Sequence, residues 1–74
     1  MSEFPWRVST ADDSWEAFAY SAGGAATALR TLYEDLADDP PSAAFVYHEC
    51  VLVLVAFSAE AADLLEKESS GVIR

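Results

Sequence analysis

Apolar residues recur at spacings of three and four along the first half of the chain: Trp15, Phe18, Ala22, Ala25, Leu29, Leu32 and Leu36. Such an a/d stripe predicts an amphipathic helix over about 13–38. Its middle is small, and a parallel row of Ala17, Ser21, Gly24, Ala28 and Thr31 is small throughout. Ala22, Gly24, Ala25 and Ala28 therefore mark the expected close approach of another helix. A glycine inside a helix costs about 1 kcal/mol relative to alanine, so Gly23-Gly24 leaves open whether this helix is continuous or breaks there. Residues 1–11 read as an irregular arm. Pro5 opposes helix, and Phe4 and Trp6 are large enough to be expected against the body of the protein.

Asp38-Asp39-Pro40-Pro41 punctuates the pattern. With a turn over 39–42 and Ser42 as a helix N-cap, a second helix is expected over about 43–69. Its polar stripe is narrow: Glu49, Ala56, Glu60, Asp63 and Lys67. Apolar residues occupy nearly everything else. The β-branched Val46, Val51, Val53 and Val55 support an alternative, a buried strand over 45–57. A C-terminal tail follows at 70–74. The fold class expected from these patterns is all-α: an antiparallel αα-hairpin over 12–69. One partner helix cannot cover so apolar a second helix, so dimerisation into a four-helix bundle is expected. Cys50, Val51, Val53, Leu54, Phe57, Ala61, Leu64 and Leu65 would form its interface.

Composition sharpens the case for association. A chain of 74 residues is one domain, and buries only roughly 60% of its unfolded surface. Cys50 is its single cysteine, which rules out an internal disulfide as a staple. Thirteen acids against four bases give a net charge of −9, which opposes direct binding to nucleic acid or to anionic membranes. The apolar run Val51–Phe57 is far shorter than the roughly 20 residues of a membrane span. The start of the chain lacks a basic segment followed by an apolar one, which leads to the expectation of a cytoplasmic protein. Its wealth of Ala and Asp suits a GC-rich bacterial genome.

Candidate chemistry is sparse. His48-Glu49-Cys50 brings three metal-binding residue types together, but on a helix His48 and Cys50 would diverge, so neither metal nor cofactor is expected. His48 at an interface would make assembly pH-sensitive. Glu34, Asp35, Asp38 and Asp39 form an acidic patch suited to a basic partner. No nucleophile, base and orienting group stand out, and the expectation is not an enzyme. The expected function is a small acidic interaction protein: an adaptor, inhibitor or accessory subunit. Its partner would be a second copy, with a dimer favoured, or another protein. Two alternatives are an acidic nucleic-acid mimic that inhibits a DNA- or RNA-binding protein, and a ligand or metal binder in the bundle core.

Overall fold

A computed structural model describes residues 4–70, with side chains through 67. Two β-hairpins, each followed by a helix, share one sheet. The first unit is β1 (Trp6–Thr10), β2 (Glu16–Ala19) and α1 (Ala22–Asp35). The second is β3 (Ala44–His48), β4 (Val51–Ala56), a single 3-10 turn (Ala59–Ala61) and α2 (Ala62–Ser70). The four strands are antiparallel in the order β2-β1-β3-β4. The protein is α+β, and the expected all-α hairpin and four-helix bundle are incorrect.

Each departure has a local cause. The arm expected at 1–11 contains a central strand, because Trp6-Arg7-Val8-Ser9-Thr10 alternates apolar with polar, the period of a pleated strand. Asp12, expected near a helix start, instead closes the β1–β2 turn. Its Oδ1 accepts from Thr10 Oγ1 at 2.9 Å and from the Ser14 amide at 3.1 Å. The Ser14 side chain and amide, together with the Thr10 hydroxyl, hold the Asp12 carboxyl below its ordinary pKa. Trp15 and Phe18, the first two members of the helical stripe, lie before and within β2. The question of a break at Gly23-Gly24 is answered by the position of the helix start. Ser21 is extended and its Oγ accepts from the Gly24 amide at 3.1 Å, so α1 begins there. Downstream, the helix expected over 43–69 is a hairpin for its first half, and only α2 at its end is helical. Ser42 leads into β3 rather than capping a helix. The alternative strand over 45–57 is close to the truth, as two strands. The tail expected at 70–74 lies outside the described residues from 71 onward.

The sheet buries one face. Val8, Ala19, Ala44, Val46 and Ala56 meet Ala25, Ala26, Leu29 and Leu32 of α1 and Ala62 and Leu65 of α2. Most of these residues are alanines, which lets backbone lie close to backbone. Gly24 belongs to the same close approach, since a Cβ there would stand 3.1 Å from the Ala19 Cβ. Of the four small residues expected at a close helix approach, Ala25 is in the core, Ala28 packs against it, Ala22 is half-buried, and Gly24 meets a strand rather than a partner helix. The two helices are clamped together by Arg30, whose Nη2 donates to Asp63 Oδ1 at 2.7 Å and Nη1 to Glu66 Oε2 at 2.6 Å.

Leu29 and Leu32 are the largest fully buried side chains. Leu29→Ala or Leu32→Ala should cost about 2–5 kcal/mol, read as a lower urea midpoint at unchanged slope. The Arg30 clamp sets a pH dependence. Hydrogen bonding to Arg30 holds the Glu66 carboxyl below its ordinary value of 4.5. A depressed carboxyl contributes stability that is present above the ordinary value and lost as pH falls through the depressed one. The melting temperature should therefore drop as pH falls below the ordinary glutamate range. Arg30→Gln should shrink that drop, leaving the part due to Asp12; an equal drop in both chains would dismiss the clamp.

Candidate functional site

Strand alternation gives the sheet a second face, and among the described residues no helix covers it. Cα partners across the ladders share a face, so the register builds two rows. One runs Phe18–Arg7–Tyr47–Leu52 and the other Glu16–Ser9–Phe45–Val55. A bulge shifts the β3–β4 register between Val46 and Tyr47, which leaves Val53 without a Cα partner on β3. Phe18 (49%), Leu52 (47%), Val53 (49%) and Val55 (38%) keep a large part of their surface in solvent. A globular sheet normally pairs one such face with polar residues, and this one is mostly apolar.

Arg7 lies across the middle of this face. Its guanidinium carbon is 4.8 Å from the centre of the Tyr47 ring, within cation–π reach. Nη2 donates to Ser9 Oγ at 3.4 Å. Nε stands 3.1 Å from Glu16 Oε2, yet is out of line for a hydrogen bond and is shielded from solvent. The contact with Glu16 is thus an ion pair without a directed bond. Asp13 lies 3.9 Å from Nη2.

Beside Arg7 a groove of about 590 Å3 opens along the face. Arg7, Phe18 and Tyr47 form its floor, Phe4 and Pro5 one wall, and Glu49 and Cys50 its end. The Phe4 ring sits 4.6 Å from Tyr20 and 5.8 Å from Phe18, so three aromatics cluster at this end. Charge around the groove is negative: Asp13, Glu16 and Glu49 outnumber Arg7. The groove can therefore hold an apolar or aromatic side chain and favours a cation at its rim.

The groove ends at a two-residue turn. Glu49 and Cys50 have φ of 53° and 71°, the left-handed values a type I′ hairpin requires, and neither is glycine or asparagine. The Glu49 amide donates to the Pro5 carbonyl at 2.7 Å, which ties the turn to the strand entering β1.

The expected site residues are distributed differently from a helix face. Val51, Val53 and Phe57 are exposed along and just past β4, and Cys50 is exposed in the turn. Leu54 is half-buried on the helix side, Leu65 is in the core, and Ala61 packs on it, while Leu64 is exposed on α2. His48 does not line a bundle interface. Its ring stacks on Trp6 at 4.2 Å, in the row that faces the helices. Cys50 lines the groove of the opposite face, so the two do not converge on one ion. Among the described residues no cluster of three His, Cys, Asp or Glu could hold a metal, and there is no bundle core for a ligand. Glu34, Asp35, Asp38 and Asp39 are exposed at the end of α1 and in the turn beyond. Asp35 Oδ2 accepts from Trp15 Nε1 at 3.3 Å, which gives one member of that patch a structural task. Arg7 and Tyr47 were not singled out in the sequence, and Phe18 was assigned to a helical stripe; the alternation of residues 6–10 was the signal that would have placed Arg7 on a strand face.

Among the described residues no helix is long and apolar enough to cross a membrane. In comparison with known proteins, the chain matches no family model, no curated protein and no solved structure.

The strained turn makes a clean prediction. A non-glycine residue in the left-handed region carries a penalty of about 1 kcal/mol or more that glycine avoids. Cys50→Gly should therefore raise unfolding free energy by about 1 kcal/mol in a urea titration. A loss of stability would mean that the Cys50 side chain contributes contacts larger than the strain.

Proposed function

We propose that this chain is a protein-interaction module which acts by non-covalent association and carries no chemistry of its own. The open face of the sheet is its binding surface. One observation carries the reading: more of the described large apolar side chains are exposed than are fully buried. Phe18, Tyr20, Val51, Leu52, Val53, Val55, Phe57 and Leu64 are exposed, whereas the buried core is chiefly alanine around Val8, Val46, Leu29, Leu32 and Leu65. Of the exposed residues, Phe18, Leu52, Val53 and Val55 lie together on the open face of the sheet, and such an exposed apolar patch marks an interface.

The occupant that suits this face is an extended segment of another protein in which apolar and basic residues alternate. Its apolar side chains fill the groove beside Phe18 and Tyr47. Its Lys or Arg side chains meet Glu16, Glu49 and Asp13, in a chain whose net charge is −9. Aromatic anchors in a partly desolvated groove supply the binding energy, and the carboxylates at the rim supply approach rate and selectivity.

Selection from a random peptide display library tests this. Enriched peptides should combine apolar with basic residues, bind more weakly as salt rises, and lose roughly tenfold or more in affinity against Phe18→Ala or Tyr47→Ala. Peptides that are acidic, or that bind both variants as well as the parent chain, would overturn the reading.

A further inference from the structure

The two edges of the sheet are built differently. β2 is four residues long and carries Glu16 on an ion pair with Arg7. A short, charged edge is a common way to prevent strand pairing. β4, the other edge, is Val51-Leu52-Val53-Leu54-Val55-Ala56. It contains no charge and no proline, and Val51, Leu52, Val53 and Val55 are exposed. Among the described residues, the protective device it has is the bulge at Val53. Phe57, 73% exposed, prolongs the apolar run past the strand. The outward N–H and C=O groups of an edge strand stand ready for another strand.

We propose that β4 is a dimerisation edge: two copies of this chain pair their β4 strands antiparallel about a two-fold axis, giving one continuous eight-stranded sheet. Charge selects a second copy as the occupant. Two chains of net charge −9 repel wherever their acids face each other, and Val51–Phe57 is a stretch without any. An antiparallel two-fold sets the two copies' Glu49 at opposite ends of the junction, each at the same end as the mate's Glu60, which lies beyond β4 in the 3-10 turn. For pairing centred on Val53, Glu49 and its mate stand about eight residues apart along the strands, roughly 26 Å, beyond the ~8 Å screening length of physiological salt. An isologous contact also needs a self-complementary surface, and an uncharged strand of Val and Leu is one. A basic partner segment would have no carboxylate to meet on β4 itself.

The geometry has a consequence for the binding reading, though it does not rest on it. A two-fold that relates antiparallel neighbours is perpendicular to the sheet, so both open faces lie on the same side. The dimer presents two grooves to one partner, and linked sites bind more tightly than either alone.

The test is absolute mass by light scattering over a hundredfold dilution of the full chain, with circular dichroism to confirm folding. The parent chain should show twice the mass of one chain, and Val53→Lys should be a folded monomer. If Val53→Lys fails to fold, Val51→Lys, at the more exposed position (61%), should give the same folded monomer. Phe18→Lys, on the open face but on the far edge strand, should stay dimeric. A monomeric parent chain would overturn the proposal, as would a dimer that survives both β4 variants. Loss of the dimer in Phe18→Lys would overturn it in favour of packing between open faces. None of these masses depends on whether the groove binds a peptide, so the two readings fail separately.

Discussion

The ladder between β1 and β3 is the constraint on which the rest of the molecule depends. Each half of the chain is a hairpin followed by a helix, and neither half has enough strands for an independent core. Pairing Trp6 with His48 and Thr10 with Ala44 turns two hairpins into one sheet. It closes a loop of nearly forty residues, a cost in entropy that rises slowly with length. Once the ladder forms, Val8 and Val46 lie side by side at the centre of the buried face and give both helices a common floor. The Arg30 clamp then joins α1 to α2. The same ladder sets Arg7 opposite Tyr47 on the other face, so core and groove are two sides of one register.

The alanine-rich core follows from this geometry and limits it. Small side chains let α1 settle close on the sheet, as the contact between Gly24 and Ala19 shows. They also remove little apolar area from water, at about 25 cal/mol per Å2. A small chain that spends its large residues on the surface obtains less stability from folding alone than one that buries them. Covering Phe18, Val53, Val55 and Phe57 by association recovers that deficit, which ties the packing of the core to the function proposed for the surface.

How far the sequence was readable depends on how openly each element displays its chemistry. Ala25, Leu29 and Leu32 keep a helical period, and α1 does bury them. Trp15 and Phe18 happen to continue that period upstream. Phe18 instead stands on a strand opposite Arg7, because Ser21 caps the helix and stops it from extending backward. The break at Asp38-Asp39-Pro40-Pro41 was legible, since two prolines leave few alternatives. The β3–β4 hairpin was not. Hairpins are usually announced by Asn-Gly or Asp-Gly, and here the turn is Glu49-Cys50. Without that signal residues 45–57 read as one apolar element, and a long apolar element without polar alternation fits a buried helix as well as a strand. The groove was illegible for a related reason: Arg7, Phe18 and Tyr47 come from three strands, and only tertiary pairing brings them together.

The Glu49-Cys50 turn also shows how the two candidate surfaces are coupled. Left-handed φ at two consecutive non-glycine residues is an unfavourable local conformation that surrounding structure must hold. The hydrogen bond from the Glu49 amide to Pro5 does part of that, as does the pairing of His48 with Val51 on either side of the turn. Asn-Gly would make the same turn with less strain, but it would remove the carboxylate from the end of the groove. The turn stands at a corner: Glu49 closes the groove, and Val51, the next residue but one, begins the exposed edge. A two-residue connection also leaves little freedom in the register of β4 against β3, so the same strain that keeps Glu49 at the groove fixes which side chains β4 presents at its edge. A looser turn would let the edge slip by one residue, and with a period of two such a slip exchanges its faces. The unusual residues at this turn are therefore consistent with one short segment serving both the groove and the edge.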